Sequence, residues 1–179
     1  MASLVEKLHE IHESLAHANL AHAFGGAIAL AFCTMEPRGT RDLDVNIFID
    51  AEQAERATTA LPTQIACTAH DLKALRASGQ ARLWWDDTPI DLFLNNHPFH
   101  EEVARGVRWV PLGGRDVPVL GCESLVIFKA LFDRTKDWAD IEAVADADRD
   151  CILAASDRLA QLTKDESDPA VLRLQSVAG

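Results

Sequence analysis

Asp42-Leu43-Asp44-Val45-Asn46-Ile47-Phe48-Ile49 is the most regular segment of this chain. Apolar and polar residues alternate strictly up to Phe48. An extended backbone therefore sends Leu43, Val45, Ile47 and Ile49 to one side and Asp42, Asp44 and Asn46 to the other. A period of two predicts a β-strand with one face in a core and the other polar. Aspartate is depleted from strands, so two of them on one strand face ask for a reason.

Before this strand, residues 21–24 read as a short strand, Gly25-Gly26 as a tight turn and residues 27–32 as a helix, ended by Pro37-Arg38-Gly39-Thr40. The N-terminus opens with an amphipathic helix, with Leu4, Leu8, Ile11 and Leu15 on one stripe and a Ser3-x-x-Glu6 capping box. After the strand, Asp50 with Gln53 predicts a capped helix running to about Leu61, where Pro62 stops it, and residues 71–77 predict another. Residues 80–85 and 90–94 flank the turn formers Asp86-Asp87-Thr88-Pro89 and read as a hairpin. Within it Ile90, Leu92 and Leu94 share a face and Asp91 takes the opposite one. Residues 107–112 and 116–120, joined through Gly113-Gly114, predict a second hairpin. From Glu123 onward the pattern is helical, over 124–132, 138–145 and 151–162, with a polar break at 164–169 before a short, frayed tail.

At 179 residues the chain has room for one compact domain, or for a small catalytic domain with a helical appendage. The net charge of -11 excludes bulk attraction to nucleic acid or to anionic membrane. RNA or DNA would need a local patch, such as Arg105, Arg108 and Arg115 or the Arg38/Arg41 pair. Cys33, Cys67, Cys122 and Cys151 lack C-x-x-C spacing and sit mostly among apolar neighbours, as reduced structural thiols do. No apolar run approaches the roughly 18 residues of a membrane span, and the N-terminus lacks the marks of a signal peptide. A cytoplasmic protein without a membrane partner is the expectation.

Nucleotidyl transfer needs divalent metal to neutralise the moving phosphate, and hard oxygen ligands suit Mg²⁺. Asp42 and Asp44 project side by side, about 7 Å apart by strand rise, and Asp91 from a neighbouring strand can complete the set as ligand and general base. Solvated carboxylates that discourage edge pairing give the same pattern. Gly25-Gly26 can bring backbone N–H groups and a helix N-terminus close to a triphosphate, or be an ordinary turn. Lys129 interrupts Leu125-Val126-Ile127-Phe128-Lys129-Ala130-Leu131-Phe132, which is apolar nearly all round. It must snorkel to solvent or meet an anion, either phosphate or a cluster aspartate. Trp84-Trp85 reads as core plus one exposed ring, and His97-Pro98-Phe99-His100 as loop.

Together these residues resemble the DNA polymerase beta-like nucleotidyltransferases, and within them the AbiEii-type abortive-infection toxins and their minimal bacterial relatives. The resemblance lies in Gly25-Gly26, then Arg38-x-Thr40-x-Asp42-x-Asp44, then Asp91, then Lys129 with Arg134, Asp137 and Asp140, and it covers residues 20–144. It implies an α/β (α+β) nucleotidyltransferase fold, a mixed β-sheet flanked by helices. Residues 1–120 would form the catalytic core with its N-terminal helix. Residues 121–179 would be a helical portion packed on it as a single compact unit. It further implies Asp42, Asp44 and Asp91 as catalytic residues and ligands of Mg²⁺ or Mn²⁺. Gly25, Gly26, Arg38, Thr40, Lys129 and Arg134 would bind the NTP, with Asp137 and Asp140 in support. Many family members carry Gly-Ser where this chain has Gly25-Gly26. The activity implied is transfer of an NMP from an NTP to an RNA end, a protein side chain or a small molecule, with a toxin role and a cognate antitoxin in view. A catalytically inactive binding or regulatory partner with the same fold is the alternative.

Overall fold

The computed structural model describes residues 2–179, which divide into two compact units. The first, Met1–Ile28 with Gly39–Val119, holds a six-stranded mixed sheet. Its strands are β1 (His22–Phe24), β2 (Leu43–Asp50), β3 (Gln80–Trp85), β4 (Thr88–Asn95), β5 (Arg108–Leu112) and β6 (Arg115–Val119), in the order β3-β4-β2-β1-β6-β5. β2 runs parallel to β4 and antiparallel to β1, β1 runs parallel to β6, and the two predicted hairpins form the ends of the sheet. Helix α1 (Leu4–His17) and the shorter α3 (Ala54–Thr59), α4 (Ala69–Ser78) and α5 (Phe99–Arg105) belong to this unit. Helix α2 (Gly26–Thr34) starts in it.

The alternation in β2 does what its period predicts: Leu43, Val45 and Ile47 are fully buried while Asp42 and Asp44 are only partly covered. Ile49 drops out of the core face because the β2–β4 register shifts between Ile47 and Asp50. The first hairpin turns more tightly than expected. Only Asp86 and Asp87 lie outside the strands, with Asp86 left-handed at φ 53°, and Thr88 and Pro89 already pair with Trp85 and Trp84. Buried Lys7 explains why. Its ammonium donates to the Trp85 carbonyl at 3.0 Å and to Thr88 Oγ1 at 2.9 Å, and stands 3.5 Å from Asp86, so α1 is fastened to that turn. Trp85 is core and Trp84 half exposed, as read from the sequence.

Three local expectations need correction. Asp50 occupies an N-cap position but makes no capping bond. A 3-10 turn at Ala51–Gln53 comes first and α3 is only six residues long. Helix α4 begins earlier than expected because Thr68 and Asp71 form a reciprocal capping box. Of the His97–His100 segment, His97 and Pro98 stay in the loop as expected, whereas Phe99 and His100 open α5, which buries Phe99, His100 and Val103.

The second unit, Ala29–Arg38 with Leu120–Gly179, is helical. It contains the rest of α2 together with α6 (Cys122–Phe132), α7 (Thr135–Ala147), α8 (Arg149–Thr163) and α9 (Pro169–Ala178). The tail is a packed helix rather than a frayed end, since Asp168 caps it and Val171, Leu174 and Ala178 are buried at helical spacing. The cysteine expectation also fails in part. Cys33 on α2 and Cys122 on α6 are joined as a disulfide across 89 residues of sequence, their Cα atoms 5.5 Å apart, within bridging range. Chain spacing carries no trace of that neighbourhood, whereas Cys67 and Cys151 are not disulfide-bonded. Among the described residues no helix is long and apolar enough to cross a membrane.

Candidate active site

One row of side chains crosses three strands of the first unit. Asp44 on β2 is the direct partner of Asp91 on β4, and Asp91 is the direct partner of Arg82 on β3. Adjacent strands lie about 4.8 Å apart and directly paired residues share a face, so Asp44, Asp91 and Arg82 stand in line. Beyond Asp44 the row meets the end of β1, where the Gly25 amide donates to the Asp44 carbonyl at 2.9 Å. Gly26 follows with φ 51° as the first residue of α2, and a Cβ built on it would fall 1.9 Å from Asp44 Oδ2. Only glycine satisfies both the left-handed backbone and that close approach. The turn read from Gly25-Gly26 thus presses the start of a helix against the Asp44 carboxylate.

Asp42 lies just ahead of β2, and its Oδ1 accepts a short hydrogen bond from the Thr40 hydroxyl. Gly39, Thr40, Arg41, Asp42 and Pro89 line an open depression at this end of the strands. Thr40, expected to meet nucleotide, donates this hydrogen bond from beside the depression.

Asp42 and Asp44 suit a hard divalent ion: oxygen donors on one strand face, with Gly26 leaving room where a side chain would fill the space. Asp91 is differently engaged. Arg82 grips both its oxygens, Nε and Nη2 each at 2.7 Å. Among the described residues no group of three or more carboxylate, imidazole or thiol side chains is already assembled as a metal cage. The donor chemistry fits a metal at Asp42 and Asp44, with the third carboxylate turned toward an arginine. Sequence reasoning missed Arg82, although a clue existed. A two-residue turn at Asp86-Asp87 pairs 82 with 91, whereas the four-residue turn at 86–89 read from the sequence would pair 84 with 91.

The remaining predicted residues gather in the second unit. Lys129 Nζ, nearly buried on α6, donates to Asp140 at 2.6 Å and Asp137 at 3.3 Å on α7. Arg134 Nε binds Asp137 at 2.5 Å, Arg38 binds Asp140, and both guanidinium groups are half exposed. Of the two possibilities for Lys129, snorkelling is excluded: it meets cluster aspartates. Three cations share two carboxylates, so the network keeps one positive charge in a strongly acidic chain, presented through Arg38 and Arg134.

Burial pushes the Asp137 carboxyl up, but the hydrogen bond from Arg134 and the charges of Lys129 and Arg134 prevail and hold it below the usual carboxylate range. A depressed folded-state pKa contributes stability that is fully present above the unfolded value of about 3.9 and is lost as pH falls through the lower folded value. Urea midpoints of wild type and Asp137→Asn should therefore differ by a constant amount from pH 5 to 8 and converge below about pH 4. A gap that persists undiminished to pH 2 would show that the charge of Asp137 plays no part.

The fold is that of the nucleotidyltransferases. Solved structures that share it include ANT(2'')-Ia in complex with adenylyl-2''-tobramycin, at 12% identity, covering 90% of this chain and 99% of that one with a TM-score of 0.64. The solution structure of the same antibiotic-resistance factor gives 12% identity, 89% and 93% coverage and a TM-score of 0.62. The lincomycin-bound lincosamide antibiotic adenylyltransferase LnuA gives 14% identity, 77% and 94% coverage and a TM-score of 0.52. No protein-family model and no curated protein matches the chain.

Proposed function

We propose that the protein is a metal-dependent nucleotidyltransferase that moves an NMP from an NTP to a hydroxyl of a small-molecule acceptor. The observation that carries this reading is the alignment of Asp44 with Asp91 on adjacent parallel strands, with Asp42 on the same face and Gly26 pressed against Asp44. A small acceptor is favoured over RNA because the chain carries a net charge of -11. One of the arginines that could have formed a nucleic-acid patch, Arg115, is already tied to a carboxylate, Glu13. The fold neighbours, which include proteins solved with adenylyl-tobramycin and with lincomycin, support the same choice.

In this reading Asp42 and Asp44, with Asp91 as third ligand, hold the divalent ion, Mg²⁺ or Mn²⁺, which supplies charge neutralisation at the α-phosphate when bound. Thr40 keeps Asp42 in position. Asp91 accepts the proton of the acceptor hydroxyl as its oxygen forms a bond to the α-phosphorus and the bond to the β-phosphate oxygen breaks, releasing pyrophosphate. The Gly25-Gly26 turn and the start of α2 offer backbone N–H groups to phosphate oxygens. Within the second unit, Arg38 and Arg134 are each backed by a buried aspartate that fixes its guanidinium, and Lys129 holds those aspartates, an arrangement suited to binding phosphate.

The test is transfer of label from each of four α-³²P NTPs with Mg²⁺, offering aminoglycosides, lincosamides, total RNA and cell protein. Label on a small molecule with wild type and none with Asp44→Asn is the expected result. Label on RNA or protein would reassign the acceptor, toward the toxin role that the sequence resemblance implies. No label, with no NTP binding, would make the chain a non-catalytic partner.

A further inference from the structure

Among the described residues Arg82 is the one cation on the carboxylate row, and its placement is specific. It projects from β3, the strand at the edge of the sheet, directly opposite Asp91, and closes on both carboxylate oxygens with the two N–H groups of a flat fork. Its proton is held more tightly than usual, first through the hydrogen bonds and charge of Asp91, with Asp42 and Asp44 adding to the effect, so it lies in the field of all three carboxylates. Its side chain is 53% exposed against 21% for Asp91. The arginine can therefore swing into solvent while the aspartate stays in place.

We propose that Arg82 is a built-in counter-cation that holds Asp91 in reserve and is exchanged for the divalent ion when the site loads. The inference rests on the reading of Asp42, Asp44 and Asp91 as a metal-binding face. Three like charges on neighbouring positions repel, and the guanidinium offsets that repulsion without filling the site beside Asp42 and Asp44. An ion pair exposed on one side is weak enough to be given up, and an incoming divalent ion brings twice the charge. With the arginine displaced, Asp91 has an oxygen for the metal and another for the acceptor proton. Arg82 is thus a positioning residue for Asp91, and it sets the metal concentration at which the site fills.

Mn²⁺ binding to the full chain, measured by isothermal titration calorimetry, tests this with wild type, Arg82→Gln and Arg82→Lys. Removing the competitor should tighten Mn²⁺ binding about three- to tenfold in Arg82→Gln. Arg82→Lys, which keeps the charge but loses the fork, should fall between. Arg82 is a half-exposed edge-strand residue, so the variants should melt within a few degrees of wild type. If Arg82→Gln does not fold, the lysine variant decides alone by binding tighter than wild type or not. Equal or weaker Mn²⁺ binding in the variants, with wild type binding normally, overturns the exchange and leaves the metal face standing. Failure of every protein to bind Mn²⁺, or Asp44→Asn binding it as wild type does, overturns the metal reading and the exchange with it.

Discussion

Asp44→Asn should lower nucleotidyl transfer by about a thousandfold or more and leave the melting temperature within a degree or two of wild type, or raise it. The first half follows from charge. Stabilising a moving phosphate through a metal is worth several kcal/mol, and about 1.4 kcal/mol is a factor of ten in rate. Asparagine keeps the shape but replaces an anionic ligand by a neutral one. The second half follows from position. Asp44 sits on the partly covered face of β2, opposite Asp91 and pressed on Gly26, while the core face is carried by Leu43, Val45 and Ile47. Removing one of the clustered negative charges takes away repulsion, and asparagine keeps the shape of the side chain. Turnover and thermal melting on the same preparations separate the roles: a large stability loss would make Asp44 structural, and undiminished turnover would remove it from the chemistry.

Lys129→Met is expected to do the reverse, with its main effect on stability. A nucleotide-contacting lysine would weaken NTP binding when truncated and leave the fold alone. Here the ammonium is buried between Asp137, which is inaccessible to solvent, and Asp140. Breaking a buried ion pair on one side costs on the order of 3 kcal/mol because the other charge stays behind. Arg134 and Arg38 still reach the two aspartates, which keeps the cost at that lower end. For a chain of this size the melting temperature should fall by roughly 6–12 °C, with a matching drop in the urea midpoint. NTP affinity of the folded variant should change little, apart from any loosening of Arg38 and Arg134. Unchanged stability with weakened NTP binding would return Lys129 to direct phosphate contact.

Much of the fold was legible because most segments obey one period. The alternation over residues 42–48 and 90–94, the stripe at Leu4, Leu8, Ile11 and Leu15, and the Ser3-Glu6 box each express a local rule that the structure follows. Errors fell where a local rule met a tertiary contact. Asp50 resembles an N-cap, but the chain leaves β2 through a 3-10 turn. The four turn formers at 86–89 contract to two because Lys7, far away in sequence, binds Trp85 and Thr88. Residues 169–178 look like a frayed tail until Val171, Leu174 and Ala178 find a core to bury in.

The sequence by itself determined the carboxylates Asp42, Asp44 and Asp91 and their sides of the strands, because strand facing has a period of two and needs no partner to be read. It also narrowed Lys129 to reaching solvent or meeting an anion, because a charge inside an apolar helix has few other options. Only the tertiary structure decided that it meets Asp137 and Asp140, which strand stood beside which, that Cys33 and Cys122 were neighbours, and that Asp91 faced Arg82. Those are matters of register and proximity between segments far apart in the chain, set by turn lengths and by the burial of whole faces, and local patterns do not encode them.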